Sequence, residues 1–455
     1  MGIFGALNTA VNGLQSQSFA LQNISGNIAN SQTIAYKAIG TTFVDLIPDA
    51  VVGRQVAGNV AANSVSTNDV QGAIQNASVS TYMAINGDGF FAVKQPTGTS
   101  GGKPLFANGD LYTRRGDFQM DQNGYLVNGA GYYLEGIPIN LQTGNPTGSA
   151  LAPIQFNNAF LPATATTTIT YGANLPSYPQ TSLSSPGTPQ SELLKAADFG
   201  TDPTTAGTGT VVGSDVTTFL NESLDGGAVT AYDSAGQPAN VQFRWAKTDA
   251  AAYGGTDTWQ LFYQTNSAAT GAQVAWINAG TDFKFNASGA LNPPISQVSL
   301  TGVTVDGTLL GNLKVQLNGL TQFATSGGAV TVNSLQQDGY PSGQLQSISI
   351  GKNGRISGSF TNGKNVDLAE IPLMSFASPN NLKSLDGGAF AITGSSGPAL
   401  AGAPGHLVGS SLEGSNADIA DQFTKLIVTQ QAYSANTRVV TTANQMSQDM
   451  LNMLR

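Results

Sequence analysis

The chain has 455 residues, of which 18 are Lys or Arg and 27 Asp or Glu, so only 10% are charged and the formal net charge is −9. No Cys and a single His, at position 406, leave no thiolate chemistry, no multi-histidine metal site and one imidazole base, which argues against an enzyme and against any cofactor. The acidic balance, with no basic run, argues against nucleic acid, whose binding needs clustered Lys and Arg.

At roughly 150 residues per domain the length allows two to four domains. From Met1 to Tyr36 no side chain is charged, so the basic region of a secretory signal is missing and no cleaved signal peptide is expected. No apolar run approaches the ~18 residues of a membrane span. Leu7, Val11, Leu14, Ser18, Leu21, Ser25 and Ile28 step by four and three alternately, the period of a coiled-coil seam, and predict a helix over 1–30. Its remaining surface is Asn, Gln, Ser and Thr, and Gly13 and Gly26 each cost about 1 kcal/mol relative to Ala, so alone in water this helix is marginal.

The long middle reads as β structure. Gly87-Asp88-Gly89 has the opening letters of a dinucleotide fingerprint, but it leads into the strand pattern Phe90–Val93 and reads as a tight turn. Asp121-Gln122-Asn123-Gly124 lacks the later ligands of a calcium loop and reads as a hairpin turn, as does Asn353-Gly354. From Ile137 to Ser191 nothing is charged, and Pro, Thr, Ser and Gly suggest a neutral linker entering an inserted domain. Val241–Trp245 and Trp259–Tyr263 alternate like sandwich strands. Arg114-Arg115 with Asp117 reads equally as an interface ion-pair set or a solvated strand edge. Asp367 and Glu370 read as ordinary surface carboxylates, and His406 as a loop residue before the last helix.

That last helix mirrors the first. Ser415 and Asn416 are candidate N-caps, Asp418 lies in the first turn, and Ile419, Phe423, Leu426, Tyr433, Val440, Leu451 and Leu454 fall on one seam, interrupted by polar Gln430, Thr437, Asn444 and Ser447. The fold class expected is mainly β with terminal α-helices, the two helices paired as a coiled coil and the β domains nested and discontinuous. The expected domains are 1–30 with 416–455, a helical core; 31–72 with 400–415, an extended strap; 73–150 with 335–399, a β domain; and 151–334, an inserted outer β domain. Core helices packed on a β domain are the plainer alternative to an assembly coiled coil.

SGNIANSQTIAYK from Ser25, INGDGFFAV from Ile85, YTRRGDFQMDQNGYLVNGAG from Tyr112, DGYPSGQLQSISIGKNGRISGSFTNG from Asp338, IPLMSFASPNNL from Ile371 and SLEGSNADIADQFTKLIVTQQAYSANTRVV from Ser411 together resemble the flagellar rod–hook axial family, in the family's order. Asn27, Asn30, Tyr36, Asn416, Gln430 and Asn436 lie in these motifs. Gln431 stands where the family usually has Arg, and Asp421 where Glu is common, which puts in doubt an interhelical ion pair but not the helix.

The resemblance implies a structural subunit exported without a cleaved signal and assembled outside the cell, in the flagellum, as a curved tubular homopolymer. Such a tube acts as a flexible joint around an export channel. The implied partners are other copies of the chain, a distal rod protein, a hook cap, a hook–filament junction protein and a hook-length control protein. The size of the region from Leu151 to Ser334 favours a hook subunit over a shorter rod component. A rod or junction protein, or a surface β adhesin, is the alternative.

Overall fold

The computed structural model describes residues 3–46, 59–141, 143–156, 160–205 and 207–453. Its contacts divide the chain into two compact units, residues 1–159 with 345–455, and residues 160–344. Among the described residues there are three α-helices, α1 (Ile3–Ala29), α2 (Val216–Glu222) and α3 (Ile419–Met453); strands, short 3₁₀ helices and irregular segments make up the rest.

In the first unit the heptad-like ends are helical, and they pair with each other. Asn27 meets Gln422, and a Cβ on Gly13 would lie 2.9 Å from Asn436 Nδ2, so α1 and α3 run antiparallel. The helix costs of Gly13 thus have a packing reason. The face of α1 that is buried is not the leucine seam. It consists of Ala10, Gly13, Ser16, Ala20, Ile24 and Asn27, all but Ile24 small or polar, while Leu7, Val11, Leu14, Leu21 and Ile28 remain only half-buried. On α3 the buried residues are Gln422, Thr429 and Ala443, with Leu426, Asn436 and Val440 half-buried beside them. Ile419, Phe423, Tyr433 and Leu451 are exposed, and Leu454 lies outside the described residues.

The N-cap of α3 is Asp418, whose Oδ1 accepts the backbone N–H groups of Ala420 and Asp421 at 2.8 and 3.2 Å. Ser415 and Asn416 are therefore not the caps. A carboxylate there also faces the positive end of the helix dipole.

Two strands follow α1: β1 (Ile39–Leu46) and β2 (Asn59–Ser66), antiparallel from Ile39 opposite Ser66 to Leu46 opposite Asn59. They lie along α1, where Ser16 Oγ donates to Val60 O and Asn23 Nδ2 to Thr41 Oγ1.

Pairing across the chain halves then builds the β portion of this unit. Ile74–Asn76 pairs with Ser411–Glu413, and Met83–Asn86 with His406–Gly409. His406 is thus a strand residue, exposed and 3.3 Å from Asn86 Nδ2, rather than a loop residue. The main sheet joins Gly343–Ile350, Arg355–Phe360, Asn365–Glu370, Tyr133–Pro138, Phe91–Lys94, Leu111–Thr113 and Ala389–Ala391 in that order. One of its faces packs Phe90, Ala92, Tyr112, Met374, Leu382 and Phe390. The predicted turns hold: Gly87, Gly124 and Gly354 have φ of +93°, +82° and +79°, where a side chain would be strained. Asp121 Oδ1 accepts the N–H groups of Asn123 and Tyr125, an Asx turn and not a metal loop.

The second unit packs two sheets face to face. One is antiparallel, in the order Thr210–Val212, Val274–Lys284, Thr258–Gln264, Pro238–Asp249, Leu224–Tyr232. The other contains Gln297–Val305, Thr308–Leu317, Thr168–Leu175, Thr321–Gln322 and Thr331–Gln337. The stretch that reads as a neutral linker is therefore partly core. Ile169, Tyr171, Ala173 and Leu175 are fully buried in a strand parallel to Thr308–Leu317, because β-branched and aromatic residues alternate there and need no charge.

Val241–Trp245 alternates as expected, but Thr258–Tyr263 is buried on both faces. Trp259, Leu261 and Tyr263 face the inter-sheet core. Phe262 faces the other side, where Phe219 of α2, Ala246 and Trp276 cover it. That short helix was not evident from the sequence.

Candidate functional site: the root of the terminal helices

A dense polar network in the first unit lies where both helices emerge. At the end of α1, Asn27 is 2% exposed and uses all of its amide capacity. Its Nδ2 donates to Ile39 O at 2.9 Å and to Gln422 Oε1 at 3.1 Å, and its Oδ1 accepts from Ile39 N at 2.9 Å and Tyr36 Oη at 3.2 Å. One side chain thus ties α1 to β1, to the turn before it and to α3. The turn is held by Asn30, whose Nδ2 donates to Gly26 O and whose Oδ1 accepts from Thr33 Oγ1. Ala35 adopts φ of +54°, unusual for a residue with a Cβ, and is pinned by its N–H on Glu413 O at 2.9 Å.

From the other chain end, Asn416 closes the same knot. Its Oδ1 accepts Ala38 N at 2.7 Å, and its Nδ2 lies 3.0 Å from Thr67 Oγ1 and 3.1 Å from Val70 O. A shorter or apolar residue at either Asn would orphan several buried backbone groups, each at a cost of ~1–3 kcal/mol.

Below the knot sits a buried charge cluster. Glu413 Oε1 lies 2.6 Å from Lys37 Nζ and accepts Gly72 N at 2.8 Å, while its Oε2 lies 3.2 Å from Arg114 Nη1. The three side chains are 3%, 0% and 2% exposed for Lys37, Glu413 and Arg114. Lys37 Nζ also donates to Val70 O at 2.6 Å, and Arg114 Nη2 to Gly87 O at 2.6 Å. Arg114 stacks 5.5 Å from the Phe90 ring centroid. Burial lowers the Lys37 pKa, against the pull of the Glu413 carboxylate. Arg114 is therefore neither an interface residue nor a solvated edge. Arg115 instead pairs with Asp117 at 2.8 Å.

The chain brings some of the singled-out residues together and leaves others apart. Asn27, Tyr36 and Asn416 converge here, with Asn30 in the adjoining turn. Asn436 lies farther along, against Gly13, and Gln430 is exposed on α3. Lys37, Arg114 and Glu413 were not singled out as a unit; the available signal was three charges inside motifs otherwise poor in charge. Asp367 and Glu370 share Arg355, at 3.1 and 3.6 Å, as sheet ion pairs.

Three family models match: the flagellar basal body rod FlgEFG protein C-terminal over residues 408–453, the flagellar hook protein FlgE/F/G D1 domain over 84–170, and the flagellar basal body protein FlaE D2 domain over 221–340. The flagellar hook protein FlgE of Brucella suis biovar 1 is 28% identical over 462 residues, covering 100% of both chains. Over its whole length the chain is similar to flagellar hook proteins.

Further members of the hook protein family align as fully: FlgE of Salmonella typhimurium is 28% identical and FlgE of Escherichia coli K12 27%, each covering 98% of this chain and 100% of the relative. The solved structure of Helicobacter pylori flagellar hook protein FlgE2 matches with a TM-score of 0.49 and 16% identity, covering 74% of this chain and 100% of that one. Asn416 and Glu413 lie in the matched C-terminal segment and Arg114 in the matched D1 segment, so the knot and the charge cluster below it together draw on both. No helix is long and apolar enough to cross a membrane among the described residues.

Proposed function

We propose that this chain is a structural subunit of the bacterial flagellar hook, which polymerises into a curved tube and transmits torque as a flexible joint. Its role is mechanical, not catalytic. The observation that carries the reading is the imbalance of the terminal helices. They pair largely through small and polar residues, and Phe423, Ile427, Val428, Val439, Met446, Met450 and Leu451 stay 46–66% exposed on α3. Neighbouring copies that cover them gain about 25 cal/mol per Å² of apolar surface removed from water. Head-to-tail contacts whose rotation does not close produce an open tube.

The β portions of each copy then contact those of neighbouring copies. Their neutral Asn, Gln, Ser and Thr surfaces support contacts that exchange hydrogen-bond partners, each worth ~0.5–1.5 kcal/mol net, as rows lengthen and shorten during rotation. In this reading the chain is exported without a cleaved signal, its helices order fully on joining the polymer, and rod, cap, junction and length-control components meet its ends. Electron microscopy of the purified chain under polymerising conditions tests it: curved tubes are expected, and a dispersed monomer or a straight rigid rod overturns it.

A further inference from the structure

The main sheet of the first unit carries a second charge cluster, in which only the Glu135 carboxylate is fully buried. Lys94 ends the strand Phe91–Lys94. On one side Val93 is opposite Leu111, which sets Asp110 against Lys94; on the other, Tyr133 is opposite Lys94, so Glu135 is its diagonal neighbour on the same face. Lys94 Nζ contacts Asp110 Oδ1 directly and lies 3.7 Å from Glu135 Oε1. Glu135 has no exposed side-chain surface, yet neither of its oxygens has a hydrogen-bond partner. In the Glu413 cluster both oxygens are bonded. A carboxyl group kept dry, unbonded and beside an amine–carboxylate pair is placed for proton transfer rather than for stability.

We propose that the side chains of Lys94 and Asp110 condense to an intramolecular amide, with Glu135 as the acid–base group. The Lys94 ammonium gives a proton to the Glu135 carboxylate, which passes it to an Asp110 oxygen. The freed amine lone pair forms the Nζ–Cγ bond. A second nitrogen proton travels through Glu135 to the hydroxyl, and the Cγ–O bond breaks to release one water. Glu135 ends as it began, and no oxidant or other reagent is needed.

Burial favours the neutral amine, whereas Asp110 and Glu135 favour the ammonium and prevail, so a base within reach is required. Burial, and then Asp110, lift the Glu135 pKa to about 7, which suits a group that must take up and release a proton at neutral pH. Asp110 is 38% exposed, which leaves the water a way out. The amide would tie off the projecting hairpin of Pro96–Ser100 and Lys103–Phe106, whose strands are paired only with each other.

The test is mass spectrometry of the folded full-length chain. The peptide map is expected to contain one branched species, lighter by one water, joining Lys94 to Asp110. Lys94→Arg, Asp110→Ala and Glu135→Gln are each expected to abolish it completely. Two separate linear peptides from the wild-type chain, after incubation at neutral pH, overturn the proposal without any variant having to fold. A branched peptide that persists in Glu135→Gln overturns the role of Glu135.

Discussion

Asn27 and Gln422 lie 395 positions apart and share a buried hydrogen bond of 3.1 Å, so the two ends of the chain meet in one amide pair. The pair sets the register of the helices, since a polar contact in a buried seam is lost on any slip. Because Asn27 bonds β1 as well, that register is transmitted to the β strands that follow α1.

Asn27→Ala is therefore expected to destabilise the first unit by about 2–4 kcal/mol, since it orphans Ile39 N–H and the Gln422 and Tyr36 side chains together. Urea unfolding followed by helical circular dichroism measures this, and an unchanged midpoint refutes it. Gln430→Ala, on an exposed position of the same helix pair, is the control and is expected to stay within about 0.5 kcal/mol.

Glu413→Gln tests the buried charge cluster. Removing the shared anion leaves Lys37 and Arg114 as buried cations, and the expected loss is about 3–5 kcal/mol. Lys37→Met is expected to cost less, because Arg114 and Gly72 N–H still satisfy the carboxylate. Equal effects in denaturant titrations count against the shared role of Glu413.

The second unit carries a proton-linked contribution. Burial, reinforced by Asp198, raises the Glu222 pKa to about 7, above the ordinary 4.5. The folded state holds that proton more tightly, so the stabilisation is complete below pH 4.5 and is lost as pH rises through about 7. The part of the stability profile due to this group should fall between pH 5 and 8 by on the order of 2 kcal/mol. Glu222→Gln is expected to flatten that part of the profile while keeping the position uncharged; an unaltered slope rejects the assignment.

Leu14→Asp and Leu426→Asp probe assembly. Both positions are half-buried in the single chain. Each variant is expected to abolish polymerisation in sedimentation assays while the near-ultraviolet signal of Trp245, Trp259 and Trp276, all in the second unit, is retained. Normal tubes from either variant remove the leucine seam from the mechanism.

The turn residues and the helical ends could be read directly because their causes are local. Gly124 and Gly354 are needed where φ is positive, and a three-four repeat of apolar residues means helix whatever its neighbours. The strand Thr168–Leu175 read as linker because an all-neutral sequence looks the same whether its backbone meets water or another strand. Asp418 caps α3 in place of the expected Asn416 for a similar reason: both side chains can cap a helix, and the backbone at Ala38 and Val70 takes up the Asn416 amide instead.

Sequence alone determined that both ends are amphipathic helices, that the middle is β, and that motifs at the two ends and in the two β blocks resemble one family. Those properties follow from periodicity and residue chemistry within short windows. The tertiary structure decided which helix face is hidden within the chain, and that Lys37, Arg114 and Glu413 form one cluster. Pairings over hundreds of residues depend on which backbone segments are brought within hydrogen-bonding distance, and no local pattern encodes that distance.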